Sequence, residues 1–159
     1  MADSGPSRGR RLGVDVGSVR VGIALSDPGG VLATPLVTLD HDAEAGTDLD
    51  RLVALVDEHE VVEVVVGLPR TLAGRDGPAA QAAQEYAAAT RERLAATGHD
   101  VPVVLSDERL TTVAATRQLS DRGVRGRKQR RVIDQAAAVA ILQGHLDARR
   151  ATGGTPEPS

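Results

Sequence analysis

Cysteine is absent from this chain of 159 residues, which rules out disulfides, thiolate catalysis and zinc–thiolate centres. Phenylalanine and tryptophan are absent as well, and Tyr86 is the one aromatic residue apart from the histidines. Modules that hold single-stranded RNA or DNA stack the bases on such side chains. Any nucleic acid bound here must therefore be read through its backbone and shape. Lysine is nearly missing too: Lys128 is the only one among 19 basic residues. Arginine, whose planar fork suits phosphate groups, is left as the cationic tool. No apolar run approaches a membrane span, and the opening MADSGPSRGRR lacks the apolar region of a secretion signal. A cytoplasmic protein with no membrane partner is expected.

The charge that is present is unevenly placed. The net value of −3 hides an acidic block and a basic one. Nine acidic residues and one arginine lie from Asp40 to Glu63, whereas seven basic residues and one acid, Asp121, lie from Arg117 to Arg131. A phosphate backbone responds to the local field, so the basic stripe can bind a polyanion despite the net negative charge. Read as a solvated surface, the same stripe has no function; its position just before Asp134 favours backbone binding.

Periodicity supplies the order of elements. Gly-, Pro- and Ser-rich ends at 1–9 and 151–159 read as flexible tails around a single domain over 10–150. Strands are expected from Arg11 to Gly17, Arg20 to Ser26 and Val31 to Thr38, with a turn at Asp27-Pro28-Gly29-Gly30; connectors so short make an antiparallel meander. Thr47 to His59 carries Leu49, Leu52, Val53, Leu55 and Val56 at helical spacing. VVEVVVGLP (61–69) and VPVVLS (101–106) read as buried strands, Pro78 to Thr97 as a helix opened by proline. A helix from Thr112 to Leu119, the loop SDRGVRGRKQ and a last helix from about Arg130 to Arg150 follow. The order βββαβαβαα fits a ribonuclease-H-like α/β fold: a mixed five-stranded sheet, part antiparallel meander and part parallel, flanked by helices on both sides.

Within that frame one acid is out of place. In GVDVGSVRVGIALSD (13–27) Asp15 interrupts an apolar strand bracketed by glycines. An ionised carboxylate buried without a partner is costly, and the flanking glycines leave room for a ligand to approach. Glu108, in LSDERLTT, follows the strand VPVVLS, where the carboxyl ends of parallel strands carry the chemistry of α/β sheets. Asp134 heads the apolar run of the last helix. Each has a structural alternative: Asp134 as a helix cap or dipole partner, Glu108 as a partner of Arg109, and Asp107 as a competitor for the role of Glu108. Taken together, three carboxylates on distant elements suggest a cluster for Mg²⁺ or Mn²⁺, hard ions that keep waters and accept phosphate oxygens. Such ions activate a water and stabilise charge on a phosphate, so no histidine is needed. His41, His59, His99 and His145 show no ligand spacing and read as surface or packed residues.

GLPRTLAGRDGPAAQ (67–81) is a strand, a glycine-rich loop and a helix start, the layout of a phosphate cradle, though a plain connector reads equally well. It is not a Walker motif, because no GKS or GKT occurs. Candidate contacts to the phosphate backbone are Arg20, Arg70, Thr71, Arg75, Arg109, Arg125, Arg127, Lys128, Arg130 and Arg131.

GVDVGSVRVGIALSD, VVGLPRTLAGRDGPAAQ, LSDERLTTVAA and RRVIDQAAAVAILQGHLD, in this order across residues 11–148, resemble the YqgF family. Its members are described as pre-16S rRNA nucleases or as RuvX-type Holliday junction resolvases. The resemblance implies a ribonuclease-H-like fold related to RuvC resolvases, with catalytic acids falling by motif on Asp15, Glu108 and Asp134. Two positions depart from the pattern: Thr71 stands where many relatives carry Asn, and Arg131-Val132-Ile133 precedes the last acid where lysine is frequent. The expectation is a metal-dependent nuclease acting on the 5′ end of precursor 16S rRNA, free or in a ribosomal particle. The rival substrate is a four-way DNA junction, which would require a two-fold homodimer rather than a monomer. Two other classes are weighed against these. A non-catalytic nucleic-acid-binding module would not need all three acids, and an actin- or Hsp70-type ATPase would need two such domains.

Overall fold

The computed structural model describes residues 8–69, 77–108 and 127–152, with side chains over 8–69, 77–108 and 130–151. Three strands open the chain, β1 (Arg10–Val16), β2 (Arg20–Ser26) and β3 (Ala33–Asp40). Helix α1 (Thr47–His59), strand β4 (Val61–Leu68), helix α2 (Pro78–Ala96), strand β5 (Val103–Asp107) and helix α3 (Arg127–Thr152) follow. The five strands form one mixed sheet in the order β3-β2-β1-β4-β5. β1, β2 and β3 pair antiparallel, and β1, β4 and β5 pair parallel. The anticipated helix at 112–119 lies outside the described residues.

Alternation along β1 and β4 divides the core between the two faces of the sheet. Leu12, Val14, Val64, Val66 and Leu68 pack with Leu52, Leu55 and Val56 of α1 and with Ala83, Ala87 and Leu94 of α2. On the other face, Val65 and Ala24 pack against Ala137, Ala138, Ile141, Leu142 and Leu146 of α3. That face is floored with glycine. A Cβ on Gly13 would stand 2.6 Å from the Leu142 Cβ, one on Gly22 2.2 Å from the Asp134 carbonyl oxygen, and one on Gly67 2.5 Å from the Ile141 Cδ1. Helix α3 therefore lies closer to the strands than side chains of ordinary size would allow.

Polar latches tie the ends together. Asp27 turns β2 into β3 by accepting the N–H groups of Gly29 (3.1 Å), Val31 (2.8 Å) and Leu32 (2.8 Å). These bonds hold its carboxyl below the ordinary carboxylate range, the Leu32 bond contributing most. The Gln143 amide of α3 spans the start of β3, accepting from the Ala33 N–H (2.9 Å) and donating to the Val31 carbonyl (2.8 Å).

Several boundaries differ from the sequence reading; β5, for one, runs Val103–Asp107 rather than 101–106. Strand β3 starts at Ala33 rather than Val31, because the Asp27-centred turn consumes Val31 and Leu32. Helix α3 begins at Arg127, so part of the expected Arg-rich loop is helical and Asp134 sits two turns inside. Neither an N-cap nor a place in the first turn accounts for that acid. At the edges of the expected tails, the Gly9 N–H bonds the Pro28 carbonyl (2.8 Å), and α3 continues to Thr152.

Candidate active site

The carboxyl ends of β1, β4 and β5 lie side by side, and separate elements carry the three candidate acids to that end of the sheet. Asp15 is 7% exposed near the end of β1, directly opposite Gly22 of β2. Gly22 is the residue over which the Asp134 backbone of α3 passes, with the Asp134 Cβ 3.2 Å from where a Gly22 Cβ would be. Gly67 lies two residues beyond Val65, the β4 partner of Gly13, so it shares the face of Asp15. Above it rests the Glu108 carboxylate, whose Oε2 is 2.7 Å from the Cβ that Gly67 lacks. Glu108 is 8% exposed.

Alternation also separates Glu108 from its rival. Val103 and Leu105 pack on the α1/α2 side, while Val104 packs with α3. Asp107, in step with the first pair, falls on the side away from α3. A sequence pattern could not fix that phase, because β5 is apolar on both faces.

Asp15 and Asp134 border a cleft of about 680 Å³, lined also by Gly17, Ser18, His41, Pro69, Pro78 and Ala82. The amino end of α2 opens onto it. Gly77, the N-cap residue, is in extended conformation, and no side chain among the described residues caps the helix. The first-turn N–H groups and the positive end of the helix dipole therefore face this region, a disposition that favours anions. Of the 67–81 segment expected to cradle phosphate, Arg70, Thr71 and Arg75 lie outside the described residues, as do Arg109 and Arg125.

Two of the expected phosphate-binding arginines instead meet acids. Arg20 Nε donates to Asp134 Oδ2 at 2.6 Å, with both side chains about one-fifth exposed. Arg131 reaches back to β3, donating to the Thr38 carbonyl (3.1 Å) and to Asp40 Oδ1 (2.8 Å). Arg130 is exposed, and the backbone of Arg127 and Lys128 is helical. Among the described residues, no three His, Asp or Glu side chains stand close enough together to hold a metal ion. Asp134 is committed to Arg20 rather than turned to the other two acids.

His41 is the cleft residue that sequence reasoning set aside. Its Nδ1 donates to the Gly17 carbonyl (3.0 Å), and its ring meets Tyr86 edge-on at 5.6 Å between centroids. Tyr86 in turn donates to Asp48 Oδ2 (2.9 Å). Burial, with help from the Asp48 charge, pushes the phenol far up, so it remains a donor. The available clue was the meander: β3 returns antiparallel along β2 and pairs Asp40 with Arg20, which sets residue 41 beside the β1–β2 turn.

A mixed sheet in this order, with a carboxylate near the end of its central strand and a helix carrying another acid across one face, is a ribonuclease-H-like fold. Over 91% of this chain and 97% of its own, Thermus thermophilus RuvC in complex with a Holliday junction superimposes with a TM-score of 0.57 at 18% identity. The yeast mitochondrial Holliday junction resolvase Ydc2 superimposes with a TM-score of 0.51 at 13% identity, covering 96% of this chain and 84% of its own.

Sequence comparison then narrows the class. Residues 9–148 match the model of the family described as RuvX: Holliday junction resolvase, and the chain belongs to that family. Among its relatives, a protein of Mycobacterium sp. (strain KMS) named "Putative pre-16S rRNA nuclease" is 57% identical over 95% of this chain and 87% of its own. One of Nocardia farcinica with the same name is 58% identical over 92% and 82%.

Proposed function

We propose that this protein is a metal-dependent nuclease, a phosphodiester hydrolase that trims the 5′ end of precursor 16S rRNA during ribosome biogenesis. The observation that carries this reading is the approach of Asp15, Glu108 and Asp134 to one end of the sheet, over strand positions kept bare by Gly22 and Gly67. The names of relatives more than half identical to it supply the substrate.

The donor set fits a hard divalent cation: carboxylate oxygens only, two of them on nearly buried residues, with glycine in place of side chains that would crowd them. Mg²⁺ or Mn²⁺, as one ion or two, would be held by Asp15, Glu108 and Asp134. When bound, it supplies an activated water and neutralises charge developing at the scissile phosphate. The chain's own groups do the rest. The amino end of α2 receives a flanking phosphate, and the basic stripe from Arg117 to Arg131, with Arg70, Thr71, Arg75 and Arg109, follows the backbone. With no aromatic platform beyond Tyr86, which is buried, recognition runs through phosphate and shape. The setting is the cytoplasm, and a ribosomal particle is the partner that would present the leader. No helix among the described residues is long and apolar enough to cross a membrane.

A second substrate is favoured by the family's own description: the four-way DNA junction. That reading requires two copies with paired sites, because two symmetry-related strands are cut; the rRNA reading works with a monomer. The deciding experiment is a parallel cleavage assay in Mg²⁺ and Mn²⁺ on a precursor 16S 5′-leader RNA and a four-way DNA junction, with Asp15→Asn as control. Cleavage of the RNA alone, lost in the variant, is expected. Cleavage of the junction alone would transfer the reading to resolution, and binding of both without cutting would leave a binding module.

A further inference from the structure

Arg20 stands at the one point where the candidate metal site and the candidate phosphate track meet. Its Nε is 2.6 Å from Asp134 Oδ2, so the guanidinium is the cation already bound to that carboxylate. The same side chain also lines a hollow of about 280 Å³ with Val19, Asp40 and Arg131. The hollow lies beside the acids, since Asp40 is the β3 partner of Arg20. Arg131, its second guanidinium, is anchored to Asp40 and the Thr38 carbonyl. Arg20 therefore has two positions of opposite chemistry within reach: a carboxylate in the acid cluster, and a hollow already furnished with a fixed arginine.

We propose that Arg20 is a positioning residue that exchanges between these two sites. Without a divalent ion it serves as the counter-cation of Asp134. Once Asp134 turns to the ion with Asp15 and Glu108, Arg20 is released to bind a backbone phosphate of the substrate over the hollow it shares with Arg131. The exchange conserves charge, one cation replacing another at Asp134, and it ties substrate grip to metal loading. Carboxylates carried to the same end of the sheet repel one another. The guanidinium relieves part of that cost, and its side chain is exposed enough to move. The inference rests on the proposed metal site.

Calorimetric Mn²⁺ titration of the full chain tests the first half, comparing wild type with Arg20→Gln, Arg20→Lys and Asp15→Asn, each checked by circular dichroism and thermal melting. Arg20→Gln is expected to bind Mn²⁺ about threefold or more tighter, because the competitor for Asp134 is gone, a factor in keeping with a partly exposed ion pair. Arg20→Lys, which keeps a cation there, should match wild type within about twofold. A residue that merely orients Asp134 as a ligand would give weaker binding in Arg20→Gln, and that outcome overturns the proposal. So does an unchanged affinity.

The second half is read from the salt dependence of binding to a 5′-leader RNA, in EDTA and in Ca²⁺ so that the strand stays intact. With Ca²⁺ the slope of log K against log salt should be shallower in Arg20→Gln than in wild type by about one, while in EDTA the two slopes coincide. Equal slopes in Ca²⁺ would refute the exchange. Failure of the underlying site looks different: Mn²⁺ binding that Asp15→Asn leaves intact would put the ion elsewhere and bring down both readings. Binding lost in Asp15→Asn but indifferent to Arg20→Gln would bring down the exchange alone.

Discussion

Glu63 and Arg11 show how this chain manages charge inside the sheet, and Asp15 shows where it does something else. Arg11 is 2% exposed and Glu63 5%, and Arg11 Nε donates to Glu63 Oε1 at 2.8 Å, with His145 Nε2 3.3 Å from the same oxygen. Burial pushes the Glu63 carboxyl up, but the hydrogen bonds and charges of His145 and Arg11 outweigh it and hold the group below its ordinary 4.5. A depressed carboxyl contributes stability that is present above the unfolded value and lost as pH falls through the folded one. The melting-temperature advantage of wild type over Glu63→Gln should therefore be constant from neutral pH to about 4.5 and shrink below it; a gap that widens in acid would contradict the pairing. Arg11→Met, which strands the carboxylate, should cost about 3 kcal/mol in denaturant unfolding. Asp15 differs in its surroundings, with other acids at its end of the sheet and glycine opposite. Asp15→Asn should lower cleavage about 100-fold or more, the scale of removing one charge-stabilising group, while its thermal melting midpoint stays level or rises. A lower midpoint with intact cleavage would make Asp15 structural.

Elements, rather than single residues, decide whether the acids meet. Strands β1, β2 and β4 and helices α1 and α2 could be bounded within a residue or so, because each carries an unbroken apolar period closed by glycine, proline or a charged turn. The start of α3 was hidden: Arg127 to Gln129 reads as the end of a polar loop, yet it is helical, and Arg131 and Gln135 bond Thr38 of β3. That tertiary tether, absent from any local pattern, sets Asp134 two turns inside the helix. The three acids could be named from their motifs. The Arg20–Asp134 bond, the Glu108 phase against Asp107 and the cleft position of His41 depend on pairing between distant strands, which sequence spacing does not encode. The seating of α3 offers its own test. Gly22→Ala puts a methyl carbon 2.2 Å from the Asp134 carbonyl oxygen, so the helix must lift. The expected result is a loss of about 1–3 kcal/mol in unfolding free energy together with cleavage reduced well below what the stability loss explains. Full activity in a stably folded Gly22→Ala would mean that the spacing of α3 over β2 is not needed for the chemistry.

At the scale of the whole molecule, the segregated charge is the feature most relevant to a polyanionic substrate. The acidic block from Asp40 to Glu63 ends β3, runs through α1 on the face of the sheet opposite α3, and enters β4, its two end residues Asp40 and Glu63 being paired with Arg131 and Arg11. In the sequence the basic stripe leads into α3, the helix that carries Asp134. A strand of nucleic acid drawn to the basic side is kept off the α1 side by repulsion, so net charge matters less than direction. Neutralised phosphates release counterions, and each one steepens the salt dependence by about 0.7 for single strands and 0.9 for duplex. Replacing Arg125, Arg127 and Arg130 together by alanine should then flatten the slope by about 2 to 3 on the 5′-leader RNA. Unlike the Arg20 substitution, this flattening should be the same in EDTA and in Ca²⁺, because Arg20 is the described cation bonded to Asp134 and the proposed exchange concerns that bond alone. An unchanged slope would remove the stripe from the interface and leave the amino end of α2 and the Arg20–Arg131 hollow to hold the strand. A flattening seen only in Ca²⁺ would instead tie the stripe to the loaded site, making metal binding and substrate capture one event across the whole face.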